Sequence, residues 1–375
     1  MTGHLVNVLR ALAKPPLATR AAWSVLAAVV ALTGYRFATG DRTGPPLAVV
    51  LSGAPGQVHK LHELTAAGPS RAAVRLNQPG ATAAAMDAQG RVWVGGRSVH
   101  GLPMTSISVI SADLAQQTRV TTTENPGVGI VFARDKVYVA ATHSGFGGSV
   151  TQVDPATLVT RNATIPPPHG PSYILTAIAA NDNQIVVAGM VAGSDPRKRY
   201  AALTVIDTET LDIIWHSPPL ENTDIWQILP QGERFVLLNV ASVDDKTPTR
   251  ADLLQLGPDH RLMPLALSAS TAASPLWGHL QGDTLYAYHN STWNSVFESP
   301  ERSLSITNLR THQSKTVALP EGMDASDLRV AGQHILLSVK SSTPQHPGGV
   351  YTLDLQGEHL RLLASLPDAG KLAGQ

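Results

Sequence analysis

A recurring hairpin dominates the distribution of hydrophobic residues after residue 45. Its clearest copy is Tyr200–Pro218, YAALTVIDTETLDIIWHSP, in which apolar segments at 201–206 and 211–215 flank a polar turn. Short apolar runs bounded by turn residues predict antiparallel strands joined by a tight turn. Similar hairpins recur at intervals of about 40 to 50 residues, which is the range expected for structural repeats.

A very apolar strand precedes each hairpin. Its apolar residues occupy both strand faces, which indicates that neighbouring sheets cover it on both sides. Polar turns connect most copies to a further, inner strand. We therefore predict an all-β, seven-bladed β-propeller of four-stranded antiparallel blades over residues 46–370. The seven copies are AVVLSG (48–53), VWVGG (92–96), VYVAAT (137–142), IVVAGM (185–190), FVLLNV (235–240), LYAYHN (285–290) and ILLSVK (335–340).

The first repeat differs from the other six. The segment before it, ATGDRTGPP (38–46), has no strand pattern, so this blade lacks a convincing innermost strand. We expect an irregular first blade, and a six-bladed ring is the alternative. No segment of the chain indicates a second domain.

The N-terminal 45 residues have a different character. Residues 1–20 are basic, and Ala21–Tyr35 contains no charged residue. A helix over 21–35 would be about 22 Å long, somewhat short of a hydrocarbon core of roughly 30 Å. We expect residues 1–20 to be cytoplasmic, 21–37 to be a hydrophobic helix, and 38–45 to be a linker. The helix is either an uncleaved signal anchor spanning the cell membrane once, or a cleaved signal peptide of a secreted or periplasmic protein. Both alternatives place the propeller outside the cytoplasm.

Charge and composition exclude several classes of function. The 375-residue chain has a formal net charge of zero, but four basic residues lie within 1–40, which leaves 24 basic and 28 acidic residues in 41–375. This body lacks the basic surface that nucleic-acid binding requires. Cysteine is absent, which excludes disulfides and thiolate metal sites.

Two hairpins carry a family resemblance. VTQVDPATLVT (150–160) and LTVIDTETLDIIW (203–215) resemble the repeats of YVTN-type and quinoprotein-dehydrogenase-like propellers. The second is similar to the tryptophan-docking repeat of pyrroloquinoline-quinone enzymes, with Asp207, Thr210 and Trp215 at matching positions. Leu211 stands where that repeat has glycine. The resemblance implies the fold and does not imply a quinone cofactor.

Other propeller repeats match less well. Gly95–Gly96 is the only glycine pair placed as in kelch repeats, and no blade ends in the Trp-Asp pair of WD40 repeats.

The long loops between second and third strands are predicted to converge on one face of the ring. Loops on a rigid scaffold are where binding residues concentrate. A short basic run can equally be a solvated loop, and loop aromatics can pack onto their own scaffold. The candidate residues for contact with a ligand or partner are Arg197, Lys198, Arg199, Asp244, Asp245, Trp293, Phe297 and His346.

The predicted inner strands offer few groups for chemistry in the central channel. Four polar residues near the starts of two inner strands are the channel candidates, Asn222, Asp224, Asp324 and Asp327. No catalytic residue, metal site or cofactor is predicted, because the chain shows no phosphate loop, serine elbow or zinc-ligand spacing.

These observations favour a membrane-tethered or exported propeller that is not an enzyme. It would act as a binding or scaffold module, with a protein or saccharide partner on the loop face and the membrane contacted through 21–37. The alternative is a quinoprotein- or lactonase-like enzyme that holds a cofactor or metal in the channel.

Overall fold

The computed structural model describes residues 46–374 with internal gaps, and the described residues form strands, turns and loops without a helix. The expected helix within 21–37, and the rest of 1–45, lie outside the described residues. Within the described part of the chain, no helix is long and apolar enough to cross a membrane. The gaps are 54–57, 99–101, 144–146, 192–199, 222, 241–242, 245–246, 249–252, 266–273, 291–301 and 341–344.

Seven four-stranded antiparallel sheets form the blades of a ring. Blade 1 begins with β1 (Pro46–Ser52), β2 (Val58–Thr65) and β3 (Gly68–Pro79). Blade 2 contains β4 (Ala81–Met86), β5 (Val92–Gly96), β6 (Ser106–Ile110) and β7 (Gln117–Thr121). Blade 3 contains β8 (Gly129–Ala133), β9 (Lys136–Thr142), β10 (Gly148–Val153) and β11 (Thr160–Ile165). Blade 4 contains β12 (Tyr173–Ala180), β13 (Gln184–Val191), β14 (Tyr200–Asp207) and β15 (Ile213–His216), and β16 (Leu220–Glu221) pairs with β14.

The remaining blades follow the same order along the chain. Blade 5 contains β17 (Ile225–Gln231), β18 (Arg234–Asn239), β21 (Leu253–Leu256) and β22 (Leu262–Leu265), with a separate hairpin of β19 (Val243–Asp244) and β20 (Thr247–Pro248). Blade 6 contains β23 (Ser274–Gln281), β24 (Thr284–Asn290), β25 (Arg302–Asn308) and β26 (Ser314–Ala318). Blade 7 contains β27 (Ala325–Ala331), β28 (His334–Val339), β29 (Gly349–Asp354) and β30 (Arg361–Ser365). The last strand is β31 (Ala369–Ala373).

The last strand closes the ring. β31 pairs with β1 as the innermost strand of blade 1, with Val50 opposite Leu372 and Val49 opposite Ala373. The innermost strands then contact one another in an unbroken circle from β4 to β31. The prediction of seven blades is confirmed, and the missing strand of the first blade is supplied by the other end of the propeller.

Both faces of the second strands are covered, as the hydrophobic pattern predicts. In blade 4, Val187 packs in one cluster with Tyr138 of blade 3. Its chain neighbour Val186 packs in a different cluster with Phe235 of blade 5. Because side chains alternate across a strand, consecutive residues of β13 fill the two interfaces on either side of the blade.

Irregular positions near the starts of inner strands link one blade to the next. The register with the second strand shifts at this point in blades 2, 4, 5, 6 and 7, which leaves one residue out of the ladder. In blades 2, 4 and 7 that residue is Thr or Ser, and its hydroxyl donates a hydrogen bond to a backbone carbonyl of the following blade. The three bonds run from Thr82 to Gly127 at 2.9 Å, from Thr176 to Ile225 at 2.6 Å, and from Ser326 to Ala369 at 2.8 Å.

The turns between third and fourth strands explain the departure from the family pattern at Leu211. In blade 4 the Oδ1 atom of Asp207 accepts hydrogen bonds from the backbone N–H groups of Glu209 and Thr210, both at 2.8 Å. The chain then reverses through Leu211, whose φ is 65°. Glycine adopts this left-handed conformation without steric cost, which accounts for the glycine of the repeat. Leu211 is nevertheless buried, so its packing offsets the cost of this conformation.

The same left-handed position in blade 6 is occupied by His312, which is exposed and has a φ of 59°. Replacing His312 with glycine should raise the free energy of unfolding by about 1 kcal/mol, because the left-handed strain is removed and little buried contact is lost. The matched control is Thr311→Gly at the preceding exposed residue, where φ is not positive and glycine should destabilise the protein. Urea denaturation of both variants tests this expectation, and it is wrong if the two substitutions shift stability in the same direction.

Candidate functional site

The strand order defines two faces of the ring. Inner strands begin at the face that carries the loops between second and third strands, which we call the upper face. The tight turns after the first and third strands lie on the opposite, lower face. The upper face is therefore the loop face predicted from the sequence.

Most of the predicted loop-face residues lie outside the described residues, namely Arg197, Lys198, Arg199, Asp245, Trp293 and Phe297. Asp244 lies in the short strand β19. His346 is partly buried and lies between β28 and β29, on the upper face. A binding role for this set stays a prediction.

Of the channel candidates, Asn222 lies outside the described residues, and Asp224 is buried at the start of blade 5. The Asp224 N–H donates to Oδ1 of Asn239 at 2.9 Å, and its carbonyl accepts from the N–H of Val240 at 2.8 Å. These contacts tie the connector before β17 to the end of β18. A channel role for Asp224 and Asn222 stays a prediction.

Asp324 links two blades at the upper face. Its Oδ1 atom accepts hydrogen bonds from Nε of Arg302 at 2.7 Å and from Nδ2 of Asn290 at 3.1 Å. Both partners belong to blade 6, whereas Asp324 immediately precedes the inner strand of blade 7. Only 7% of the Arg302 side chain is exposed, whereas 47% of the Asp324 side chain is exposed, so the arginine is shielded and the carboxylate faces solvent in part. The described contacts of this carboxylate are with the scaffold.

The inner strands form two unlike halves of the channel wall. In blades 2 to 4 the partly or fully exposed residues of the inner strands are chiefly apolar, including Met86, Val131 and Ile174. In blades 5, 6, 7 and 1 the inner strands instead carry aromatic, charged and titratable side chains. We call these six residues the channel cluster, consisting of Trp226, Trp277, His279, Asp327, Arg329 and Lys371.

Lys371 joins three blades within the channel cluster. Its Nζ atom lies 3.4 Å from the centroid of the Trp277 ring in blade 6 and 3.6 Å from Oδ1 of Asp327 in blade 7. Lys371 itself belongs to the closing strand of blade 1, so its side chain crosses the inner edge of blade 7. The side chain remains 28% exposed, which fits a group lying along the channel rather than between sheets.

The indole ring beside this ammonium group packs against a second one. Trp277 donates from Nε1 to the carbonyl oxygen of Ala325 at 2.9 Å, which fixes the orientation of its ring. Trp226 of blade 5 lies edge-to-face against Trp277, with centroids 6.3 Å apart and planes inclined by 75°. The two tryptophans occur early in their inner strands, so this part of the cluster lies in the upper half of the channel.

Asp327 and Arg329 hold the closing strand. Oδ2 of Asp327 accepts a hydrogen bond from the N–H of Leu372 at 2.9 Å, and Nε of Arg329 donates to the Leu372 carbonyl at 3.3 Å. Asp327 thus presents one carboxylate oxygen to the backbone of β31 and the other to Lys371. The carboxylate is held on both sides.

Burial shifts the protonation equilibria of the cluster. Burial lowers the pKa of Lys371, Asp327 opposes this effect, and the charge of Arg329 lowers the pKa further. Burial also lowers the pKa of His279 to about 4, with Arg329 adding to the shift and Asp327 opposing it. His279 is consequently a neutral imidazole near pH 7.

The low pKa of His279 predicts a pH dependence of stability. The unfolded chain, with a histidine pKa near 6.5, binds a proton more readily than the folded chain as the pH falls from 6.5 to 4. The contribution of His279 to the free energy of unfolding is therefore complete above pH 6.5. It is lost as the pH falls from 6.5 to 4, by at most about 3 kcal/mol. Thermal melting at a series of pH values should show that the melting temperature falls less at low pH for His279→Gln than for the wild type. Equal losses would contradict the assignment.

The turn of blade 7 brings three metal-ligating side chains together, Asp354, Glu358 and His359. Oδ1 of Asp354 accepts from the N–H groups of Gln356 and Glu358, and its Oδ2 pairs with His359 at 2.8 Å. Similar aspartate-centred turns occur in blades 3 and 4, and Asn308 takes this place in blade 6, so hydrogen bonding within the turn accounts for the cluster.

Comparison with known proteins gives the fold. No protein-family model matches the chain, and no curated protein matches it by sequence. Among solved structures, Kuenenia stuttgartiensis hydrazine synthase is similar with a TM-score of 0.56 and 11% identity over 85% of this chain and 99% of that chain. A putative 6-phosphogluconolactonase from Bacteroides uniformis is similar with a TM-score of 0.55 and 11% identity over 87% of this chain and 98% of that chain. BamB from Moraxella catarrhalis has a TM-score of 0.47 at 13% identity, covering 84% and 87% of the two chains. These similarities and the strand order show the fold alone, a seven-bladed β-propeller.

Proposed function

We propose that this protein is a non-catalytic binding propeller whose partner docks on the upper face and reaches into the mouth of the channel. The observation that carries the proposal is the channel cluster, where two tryptophans and Lys371 remain partly exposed and Lys371 pairs with the buried Asp327. Aromatic rings with adjacent charged groups are typical of residues that dominate binding energy. The loop-face residues predicted from the sequence would add a second contact region around this mouth.

The contacts of one acidic channel candidate support binding rather than catalysis. The Asp324 carboxylate accepts hydrogen bonds from Arg302 and Asn290. A general acid or base must reach the group whose proton it transfers. A carboxylate engaged by two scaffold side chains, as that of Asp324 is, is poorly placed for that task.

The cellular location belongs to the same proposal. A hydrophobic segment at 21–37 would hold the propeller outside the cytoplasm at the cell membrane, or would release it after cleavage. Membrane fractionation followed by N-terminal sequencing separates the two routes. A chain recovered intact from the soluble cytoplasmic fraction would contradict both.

Affinity capture with matched variants tests the binding function. The full-length chain is immobilised as wild type, as Trp277→Ala in the channel, and as Arg310→Gln on the lower face, where the arginine side chain is 79% exposed. A partner should be retained by the wild type and by Arg310→Gln, and it should be lost with Trp277→Ala. Equal retention by all three proteins would overturn the proposal, provided that their melting curves agree. Trp293→Ala examines the loop face in the same assay.

A channel enzyme is the second candidate. One observation favours it, because Lys371 and His279 both have displaced pKa values within one cluster, and such displacement is frequent at catalytic sites. Elemental analysis and a visible spectrum of the purified protein test this alternative. One metal ion or chromophore per chain would replace the binding proposal, whereas a protein lacking both would leave the binding proposal in place.

A further inference from the structure

The channel cluster contains the elements of a cation-binding site. Aromatic faces attract cations through the ring quadrupole, most strongly for tryptophan, and a neighbouring carboxylate adds charge attraction. Here two indole planes meet at 75°, and the Asp327 carboxylate lies within 4 Å of the same cation as Trp277. We infer that Trp277 and Asp327, with Trp226 packed edge-to-face against Trp277, form a binding site for a small organic ammonium compound, and that Lys371 occupies this site in the unliganded protein. This inference rests on the proposed binding function and names its ligand class.

The position of the Lys371 ammonium marks where a ligand cation would lie. At 3.4 Å from the ring centroid it is in direct contact with the face of Trp277. The hydrogen bond from Trp277 to Ala325 and the bond from Leu372 to Asp327 hold the aromatic ring and the carboxylate in place without Lys371. The site is therefore preformed, which limits the conformational cost of ligand binding.

Lys371 is held in a way that permits displacement. Burial lowers its pKa despite the attraction of Asp327. The free-energy cost of removing water from the ammonium therefore exceeds the stabilisation that the carboxylate provides. A primary ammonium is strongly hydrated, and its four-carbon stem is flexible, so the group can withdraw into channel water. A quaternary ammonium lacks N–H groups and is the cation class that aromatic sites recognise best.

The charges around the site determine how a ligand cation would compete with Lys371. Arg329 lies two residues after Asp327 on the same strand, and Lys340 contributes a second positive charge to the surroundings of Lys371. His279 is neutral and adds no charge. Displacing Lys371 with a ligand cation keeps the number of positive charges beside Asp327 constant, so competition between the two cations is the expected behaviour.

Titration with tetramethylammonium, followed by tryptophan fluorescence and calorimetry, tests the inference on the full-length chain. Lys371→Ala should bind the probe at least about 10-fold more tightly than the wild type, because the competing cation is gone. Lys315→Ala is the matched control, since Lys315 pairs with Glu358 on the exposed lower face, and it should bind like the wild type. Adding Trp277→Ala or Asp327→Asn to Lys371→Ala should remove this gain in affinity for tetramethylammonium.

Lys371→Met keeps the length of the side chain, and it replaces Lys371→Ala in the titration if that variant does not fold. The neutral isostere 3,3-dimethylbutan-1-ol, compared with choline, separates charge recognition from apolar binding. Binding of tetramethylammonium by Lys371→Ala or Lys371→Met that is no tighter than in the wild type would overturn the inference, as would equal binding of the neutral isostere and choline. If partner capture still depends on Trp277 in that case, the proposed binding function stands and only the ligand class is rejected.

Discussion

A chain that ends after Asp368 is expected to lose the cooperative fold of the propeller. The truncation removes β31, whose residues Ala369, Leu372 and Ala373 are completely buried. It also leaves the inner edge of β1 unpaired and breaks the circle of inner strands between β27 and β4. The free energy of unfolding should fall by about 5 kcal/mol or more, which approaches the total stability of an ordinary domain. Calorimetry should show no cooperative transition at the temperature where the wild type melts.

Two controls separate the loss of ring closure from other effects of the deletion. A chain ending after Gly374 keeps every residue of β31 and should melt like the wild type. Lys371→Gln keeps the strand and removes only the channel charge, so it should remain folded. A protein truncated after Asp368 that melts like the wild type would contradict the assignment of β31 as the closing strand.

Replacing Gly95 with alanine is expected to destabilise the junction of blades 2 and 3 by about 3 kcal/mol. A Cβ atom at Gly95 would overlap the backbone carbonyl oxygen of Pro126, which cannot rotate away as a flexible side chain could. Pro126 lies in the connector that leads into the inner strand of blade 3. Chemical denaturation of Gly95→Ala measures the loss directly.

The matched control for Gly95→Ala is Gly232→Ala. Gly232 has a φ of 59° and open space around the position of an added Cβ, so alanine there costs only the left-handed strain, about 1 kcal/mol. Equal costs at the two positions would show that overlap with Pro126 is not what Gly95 avoids. The glycine pair that resembles a kelch motif therefore has a packing explanation, because a Cβ at Gly96 would also approach the Gly80 carbonyl oxygen, at 2.7 Å.

The blades could be predicted from the sequence because their strands pair with near neighbours along the chain. Hydrophobic runs and polar turns are local signals, and they located the repeated hairpins correctly. The closing strand gives no comparable signal. AGKLA is short and lacks β-branched residues, and its partner β1 lies at the opposite end of the propeller.

The same limit explains why the channel cluster as a whole was not predicted, although Asp327 was among the channel candidates. Lys371 belongs to the unpredicted strand, and Asp327 and Trp277 meet it only after three blades are assembled around the axis. The alternation of Trp277 and His279 does place them on one side of β23, but alternation alone does not identify the channel side. Conversely, Asp324 lies at the predicted strand start and pairs with Arg302 of the preceding blade.

Leu211 shows a different limit. Its mismatch with the family glycine was visible in the sequence, but leucine seldom adopts a positive φ, so the sequence alone gave no reason to expect the same turn. The structure keeps the turn with φ of 65° because the aspartate-centred hydrogen bonds and the burial of the leucine side chain both favour it.

Site-specific photo-cross-linking tests most directly whether the upper face is the binding face. A photoreactive amino acid replaces His346 on the upper face in one protein, and Gln89 in a lower-face turn of blade 2 in another. With the captured partner present, the binding-propeller account predicts covalent adducts from position 346 and none from position 89. Adducts from position 89, with none from position 346, would contradict it.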